Sequence, residues 1–352
     1  MFNNKVLSID IGNKNIKIVL GKQNKNNVIV EKAMVIETPP NSYKDGNILD
    51  IENLKSVINR YIQNENIKTK KTICTVQSTS IIKREITLPV AKKEEEMNTM
   101  VRFEIEQYLP IIFDDYVIEY KILETFIEED IKKGRITVAA LPKTIAEDYL
   151  KLIKELDLTP VALDMNSNSV SKLCESKVTI NDENSSLDKT VVVIDIGHNY
   201  INLNMISNGI LEFSRIIPVG SNEIDINIAN MLNLSLEEAE KRKIENSNLN
   251  HENGLVSLEM LNDIVKDSVN TWIQEIRRLF RYYENIKREN KIEEIYLYGG
   301  GSDIKGLEDH FKKELNIEVI KIETMSNIKL GKEAQDTKLN QYLNCIGSII
   351  RK

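Results

Sequence analysis

One segment of the sequence occurs twice, and its duplication restricts the folds open to the chain. Residues 6–18 read VLSIDIGNKNIKI and residues 191–203 read VVVIDIGHNYINL, and the two align without a gap 185 positions apart. In each copy an apolar run leads into Asp-Ile-Gly, polar residues follow, and alternating apolar residues resume. This pattern is typical of two strands joined by a tight turn. The chain is therefore predicted to consist of two related halves.

The acid and the glycine of each copy are the residues that chemistry could use. Asp10 and Asp195 lie where the buried strand ends, and Gly12 and Gly197 allow the backbone to turn and to approach a ligand closely. One Asp-x-Gly turn after a strand is common as a plain structural turn. Two copies half a chain apart predict two lobes that face each other across a cleft.

Composition excludes several classes of protein. The 352 residues are 41% hydrophobic and 29% charged, which is the balance of a soluble globular protein with about two domains. A net charge of −7 argues against a nucleic-acid groove. No apolar run reaches the roughly 18 residues of a membrane helix, so we expect a cytoplasmic protein without direct membrane insertion. Cys74, Cys174 and Cys345 are interpreted as reduced packing residues, and the histidines show no metal-ligand spacing.

The order of the periodic segments predicts an α/β fold with an insertion. Strands, a helix and a strand are followed at 78–158 by a β-rich module with two helices, and 164–174 then forms a helix that crosses back. A long amphipathic helix is expected at 260–285 and a last helix at 339–350.

Two helix starts carry the sequence of a capping box. These are Thr144-x-x-Glu147 and Ser235-x-x-Glu238. Between them, the helix that begins near Gly220 is expected to place Met231 on its apolar side.

A third motif, YLYGGGS at 296–302, makes the duplicated turn more specific evidence for a function. Together the three resemble the phosphate-1 loop, the phosphate-2 loop and the adenosine motif of the actin, Hsp70 and sugar-kinase ATPase superfamily. Within it, four passages resemble the PilM family of cytoplasmic, FtsA-like proteins of type IV pilus machines: KREITLP at 83–89, VRFEIEQYLP at 101–110, EAEKRK at 238–243, and 342–351. The resemblance covers nearly the whole chain.

The resemblance implies a two-lobed actin-like ATPase fold of the ribonuclease H-like α/β type, with an FtsA-type 1C subdomain. Lobe 1 would be 1–188, formed by subdomain 1A with 1C inserted at about 78–158. Lobe 2 would be 189–352, formed by 2A with 2B inserted at about 221–294.

The resemblance also implies ATP and Mg²⁺ as ligands, with Asp10 and Asp195 toward the metal, which suits a hard cation. The implied nucleotide-binding residues are Asp10, Gly12, Asn13, Lys17, Asp195, Gly197, His198, Glu240, Lys243, Gly299, Gly300, Gly301 and Ser302. Ser302 could also cap the following helix. By themselves these residues have plainer interpretations: a solvated strand residue for Lys17, an exposed ion pair for Glu240 with Lys243, and a plain loop for the glycines.

Hydrolysis requires a residue that positions water, and Asp164 occupies the place that the superfamily uses for it. The N-cap of the crossing helix is an equally good interpretation of Asp164. Asn13, Lys14, His198 and Asn199 are bulkier than the small residues usual in the two phosphate loops. We therefore expect at most a slow ATPase.

Three functions follow from the resemblance. The first is a nucleotide-binding scaffold of the pilus inner-membrane platform, held at the inner face of the membrane by its partners. It would bind a PilN-type N-terminal peptide in a groove between 1A and 1C, near 79–87 and 97–108. Other platform or motor components and self-association are further implied partners, and nucleic acid is not.

The second function is an FtsA-like polymerising division protein, which needs an amphipathic tail beyond its last helix. The apolar residues of 339–350 are interpreted as packing within the second lobe instead. The third, a sugar kinase, needs a catalytic base and polar sugar ligands that the sequence does not present.

Overall fold

The computed structural model describes residues 5–108, 112–174, 178–181, 189–250, 256–286 and 291–351. The strands are β1 (Val6–Ile11), β2 (Asn15–Asn24), β3 (Asn27–Glu37), β4 (Tyr43–Lys44), β5 (Asn47–Ile48), β6 (Lys71–Val76), β7 (Ile82–Pro89), β8 (Tyr116–Glu128), β9 (Ile131–Pro142), β10 (Thr159–Met165), β11 (Thr190–Ile196), β12 (Ile201–Ser207), β13 (Ile210–Ile217), β14 (Ile292–Tyr298), β15 (Glu318–Lys321) and β16 (Ile328–Leu330). The helices are α1 (Ile51–Asn64), α2 (Glu94–Tyr108), α3 (Lys143–Glu155), α4 (Asn166–Leu173), α5 (Ser221–Leu232), α6 (Leu236–Asn246), α7 (Val256–Ile286), α8 (Leu307–Leu315) and α9 (Leu343–Ser348).

The chain divides into two compact units. The first comprises Met1–Thr38, Lys68–Thr75 and Asp164–Lys352, and the second comprises Pro39–Ile67 and Val76–Leu163. The expected boundary between lobes at 188 and 189 adjoins residues 182–188, which lie outside the described residues. The division into lobes 1 and 2 with their subdomains stays a prediction.

The two copies of the repeated segment form two hairpins of the same register. β1 pairs antiparallel with β2 and β11 with β12, so that Asp10 lies opposite Lys17 and Asp195 opposite Asn202. In each hairpin the glycine N–H donates across the turn at 3.0 Å, from Gly12 to the Asn15 carbonyl and from Gly197 to the Tyr200 carbonyl. The predicted duplication is therefore a duplication of structure, including the turn.

Each hairpin is the centre of a larger sheet. The strand orders are β10-β6-β1-β2-β3-β16 and β13-β12-β11-β14-β15. β1 pairs parallel with β6, and β11 pairs parallel with β14. Their nearly continuous apolar runs are buried, as expected for strands covered on both faces.

Helices cover these sheets through two apolar cores. One core surrounds β11, β12 and β14 and takes in α5 and α7, with Trp272 fully buried. The other contains α4 and α9 together with residues of both sheets. Residues 339–350 thus pack against both halves of the chain. The expectation for Met231 was wrong, because it is 59% exposed on α5.

The second unit contains a three-stranded sheet in the order β7-β9-β8, with α2 packed on it through Met97, Val101 and Ile105. α3 begins without a side-chain cap, so the capping box predicted at Thr144 is wrong. β9 runs directly into α3 and Pro142 takes the cap position, which leaves Thr144 inside the helix. The box predicted at Ser235, in the first unit, is confirmed.

Candidate functional site

The two duplicated aspartates converge on one side chain. Asn344 Nδ2 lies 3.0 Å from Asp195 Oδ2 and 3.5 Å from Asp10 Oδ2. Asn344 belongs to α9, and the Tyr298 hydroxyl donates to its Oδ1 at 3.0 Å. Both carboxylates are more than nine-tenths buried. The last helix therefore brings an amide to the place where the two hairpins present their acids.

Neighbouring strands and the start of α4 supply further polar partners to these acids. Thr75 on β6 donates to Asp10 Oδ1 at 2.8 Å, and Asn166 Nδ2 lies 3.4 Å from the same oxygen. Asn202 Nδ2 lies 3.5 Å from Asp195 Oδ2. Burial raises the pKa of the Asp195 carboxyl, and the Lys17 charge and the Asn344 hydrogen bond work against that rise.

Lys17 lies on β2, the strand that leaves the first turn. It is half-buried, directly opposite Asp10 on the neighbouring strand, and near enough to Asp195 to affect its pKa. Its backbone carbonyl accepts a hydrogen bond from Cys345 Sγ on α9 at 3.3 Å. Lys17 is therefore close to both acids, and its contact with a phosphate stays a prediction.

The glycine turn after β14 lies against the second hairpin. Gly299 has φ +87°, and a Cβ there would collide with Asp195 Oδ1. A Cβ at Gly301 would collide with Ile196, whereas one at Gly300 would have nothing within 4 Å. Gly299 and Gly301 thus permit close packing, and Gly300 faces open space.

Ser302 does not cap the following helix. It lies in the 3₁₀ turn Gly300–Asp303, its hydroxyl donates to the Gly299 carbonyl at 2.7 Å, and α8 starts only at Leu307 after Gly306. The residue is 2% exposed and also accepts a hydrogen bond from Asn340. Its role is to brace the glycine turn.

The bulky Lys14 of the first turn contacts α6, and His198 of the second turn lies close enough to Lys14 and Lys243 to be affected by their charges. Lys14 Nζ donates to Glu240 Oε2 at 2.8 Å, which joins the first turn to that helix. His198 of the second turn is partly buried, and burial together with the charges of Lys14 and Lys243 lowers its pKa to about 4. His198 is therefore neutral at pH 7. Asn13 lies beside Lys14 in the first turn and is half-buried.

The Lys243 ammonium binds two oxygens of α5. Its ammonium lies 2.7 Å from Asp225 Oδ2 and 3.1 Å from the Ser221 carbonyl, and it is 7% exposed. Glu240 pairs with Lys14, and Lys243 pairs with Asp225. The interpretation of Glu240 and Lys243 as one exposed ion pair is therefore wrong. Asp225 had no signal in the sequence beyond its helical position.

Asp164 is not the N-cap of the crossing helix. It is still in β10, and α4 begins at Asn166 after Met165, without a side-chain cap. Its carboxylate accepts from Lys172 Nζ at 2.6 Å and from Asn168 Nδ2 at 2.7 Å. The crossing helix therefore begins two residues later than expected, and Asp164 is part of a buried ion pair.

The residues around Asp10 and Asp195 fit a nucleotide phosphate with a hard cation. Two carboxylates suit Mg²⁺, which retains several waters and is usually held by one or two protein carboxylates together with phosphate. Asn166 Oδ1 is buried without a hydrogen-bond partner in the described part of the chain, which leaves one more oxygen beside Asp10. Among the described residues no group of three or more His, Cys, Asp or Glu could hold a metal.

Several residues of the site had no specific signal in the sequence. Asn344, Asn166 and Thr75 reach the carboxylates from elements far apart in the chain. Thr38 holds the first turn through hydrogen bonds to Gly12 and Lys14. Buried polar residues within otherwise apolar helices or strands were the available hint, because such groups need partners.

Solved structures with the same architecture define the class of protein. The chain matches a PilM-PilN type IV pilus biogenesis complex at TM-score 0.81 and 19% identity, covering 98% of this chain and 97% of that one. It matches the ethanolamine utilization protein EutJ from Carboxydothermus hydrogenoformans at TM-score 0.58 and 12% identity, over 99% and 90%. MreB5 of Spiroplasma citri bound to AMPPNP matches at 0.52 and 13%, over 99% and 95%. The fold is that of the actin-like ATPases.

Sequence comparison narrows the class to one family. The family described as Type IV pilus assembly protein PilM matches residues 8–347, and the chain belongs to that family. Both results confirm the resemblance carried by the duplicated turn and the glycine motif. Among the described helices, none is long and apolar enough to cross a membrane.

Proposed function

We propose that this protein is a nucleotide-binding scaffold of a type IV pilus assembly platform. The convergence of Asp10 and Asp195 on Asn344 carries the proposal, because it places the acids of both duplicated turns at one location. Two carboxylates are kept buried at a cost in desolvation that packing alone would not require. A phosphate-bound cation is the ligand that uses them.

ATP with Mg²⁺ is the proposed ligand, with the cation toward Asp10 and Asp195. The phosphates would lie along the turns at Gly12–Asn13 and Gly197–His198 with Lys17, and the base and sugar near Glu240 and the glycine turn. Bound Mg²⁺ would offset phosphate charge. Asp164 already accepts hydrogen bonds from Lys172 and Asn168, which supports slow turnover or none.

The sharpest test fills the open space at Gly300. Its Cβ position is free and its φ is not positive, so Gly300→Val keeps the fold and places two methyl groups where the nucleotide is proposed to lie. Calorimetric titration with ATP and Mg²⁺ should show at least a tenfold loss of affinity. Asn230→Val, at an exposed position on α5, is the matched control. Equal affinity in wild type and Gly300→Val would count against the site.

A PilN-type peptide is the proposed partner, bound by the second unit. The solved complex that this chain resembles contains PilM and PilN, and β7 here is an edge strand that pairs only with β9 among the described strands. An edge strand can accept an extended peptide through main-chain hydrogen bonds. Phe103 on α2 is 66% exposed and offers an apolar contact. Through this partner the protein would lie at the inner face of the membrane.

The peptide proposal is tested by removing that aromatic contact. Phe103→Ser should weaken binding of a PilN-type N-terminal peptide about tenfold in a fluorescence titration and leave the melting temperature unchanged. Met231→Ser, 59% exposed on α5 in the first unit, is the control. If both variants bind like wild type, the peptide does not use α2.

A membrane-anchored, polymerising division protein is the less favoured function. Tyr342, Leu343, Ile346 and Ile350 are buried in the core that contains α4 and α9. They therefore have no apolar face left for a bilayer.

A further inference from the structure

The Asn344 amide is held in one orientation. The Tyr298 hydroxyl donates to its Oδ1, and its Nδ2 faces Asp195 Oδ2 and Asp10 Oδ2. Ionised carboxylates only accept hydrogen bonds, so the NH₂ group must point toward them. Asn344 is 4% exposed and Tyr298 1%. The amide therefore uses carboxylate oxygens that a cation would need.

The backbone that carries this amide is tied to the first half of the chain. Ser348 Oγ and Ser8 Oγ on β1 are 2.7 Å apart, and Cys345 Sγ donates to the Lys17 carbonyl on β2. Gly347 packs directly on the Ser169 carbonyl of α4. The side chain of Asn344, in contrast, makes its shorter carboxylate bond to Asp195 in the second half. The amide cannot leave both carboxylates unless its rotamer or α9 changes.

A neutral amide satisfies the hydrogen-bonding capacity of these oxygens without offsetting their charge. Asp10 and Asp195 are both more than nine-tenths buried, and the amide that faces them carries no charge. A divalent cation would interact with the same oxygens far more strongly, since its charge is the largest in such a site. Amide and cation are therefore competitors for one place.

We propose that Asn344 is a positioning residue that holds Asp10 and Asp195 together in the metal-free protein and competes with a divalent cation for their oxygens. This inference rests on the proposed nucleotide function. A cation that binds both carboxylates must displace this amide, by a change either of the Asn344 rotamer or of α9. The affinity for free cation is then kept low until a nucleotide brings the cation with it.

The probe is Mn²⁺ without nucleotide, added to the full chain at pH 7.5, with free Mn²⁺ measured by electron paramagnetic resonance. Asn344→Ala should bind Mn²⁺ about tenfold more tightly than wild type, because a hydrogen-bonded competitor for charged oxygens is gone. Asn340→Ala is the matched control. It also removes an amide that is 4% exposed, but one that bonds Ser302 and Asp303 instead of the two carboxylates. Its Mn²⁺ affinity should equal that of wild type.

A second variant keeps the experiment decisive if Asn344→Ala unfolds. Asn344→Asp preserves size and adds a third carboxylate, so Mn²⁺ should raise its melting temperature more than that of wild type. The inference about Asn344 would be overturned by equal Mn²⁺ affinity in wild type and Asn344→Ala. Equal melting-temperature shifts in wild type and Asn344→Asp would overturn it as well. Either result would leave the proposed nucleotide site standing. Absence of Mn²⁺ binding to wild type and both Asn344 variants even with ATP would instead reject the proposed nucleotide site.

Discussion

At the scale of single residues, neighbours from distant parts of the chain decide what each acid can do. Asp195 is buried, and burial raises its pKa although one lysine and two amides lie near. Asp303 is partly exposed and contacts Lys321, Lys338, Asn340 and Gln341. The charged Asp195 carboxylate therefore lowers the stability of the fold, whereas the Asp303 carboxylate raises it. This contrast is expected if Asp195 belongs to the proposed nucleotide site and Asp303 has a structural role.

Asp195→Asn should therefore leave the free energy of unfolding unchanged or raise it by about 1 kcal/mol at pH 7. The raised pKa means that the charged form lowers stability at neutral pH, and that this loss disappears as the pH falls below the folded pKa. The variant should also lose Mg²⁺-dependent nucleotide binding. Urea denaturation and calorimetric titration measure the two effects.

Asp303→Asn is the control of opposite sign, and it should lower the free energy of unfolding by about 1 kcal/mol because its cationic partners lose their counter-charge. Equal destabilisation by both substitutions would mean that Asp195 is a structural residue.

His198 should make stability depend on pH in a predictable direction. Its folded pKa of about 4 lies below the ordinary 6.5, so its contribution is present above pH 6.5 and is lost as the pH falls toward 4. The loss is on the order of 2 kcal/mol after allowance for partial exposure. Denaturant melts of wild type and His198→Asn between pH 7.5 and 4.5 measure the difference. Parallel curves for the two proteins would contradict the lowered pKa.

At the scale of elements, the site depends on how closely two short helices pack. α4 and α9 meet at Gly347, where any Cβ would collide with the Ser169 carbonyl. α9 has only six residues and gains little from its own hydrogen bonds, so tertiary contacts must hold it. The position of Asn344 therefore rests on the contact at Gly347.

Gly347→Ala should lower the free energy of unfolding by about 3 kcal/mol, because α4 and α9 must separate to admit the methyl group. Gly300→Ala, at a glycine with open space around its Cβ, should change it by less than about 0.5 kcal/mol. Equilibrium urea denaturation compares them directly. A tolerated Gly347→Ala would show that the helices can move apart easily and that Asn344 is loosely placed.

At the scale of the whole molecule, the two halves of the duplication are joined by polar contacts as well as by core packing. Lys14 in the first turn pairs with Glu240 on α6, which follows the second turn in the chain. Their side chains are 36% and 27% exposed, so water and salt screen the pair. The pair is therefore a weak link between the halves.

A double-mutant cycle with Lys14→Met and Glu240→Gln should give a coupling energy below about 1 kcal/mol that falls further in high salt. Chemical denaturation at two salt concentrations measures it. A coupling above about 2 kcal/mol that salt does not change would show instead that the pair is desolvated and holds the halves firmly together.

Local sequence patterns were enough to predict the repeated hairpins. Alternation of apolar residues specifies which face of a strand is buried, and Gly12 and Gly197 mark the turns, because both signals act over a few residues. The capping box at Ser235 was predicted for the same reason. The box at Thr144 failed because β9 continues to Pro142, directly before the first residue of the helix, which a local pattern does not reveal.

The sequence by itself therefore determined the duplication, the α/β class and the two aspartates at the ends of equivalent strands. Tertiary structure decided which side chains meet them. Asn344 is 149 residues from Asp195 and 334 from Asp10. The packing of α9 places Asn344 beside both aspartates. The local sequence of α9 shows only that a polar residue lies within an apolar run. Contacts of this kind depend on strand order and helix packing, which the sum of many weak interactions decides and no short segment encodes.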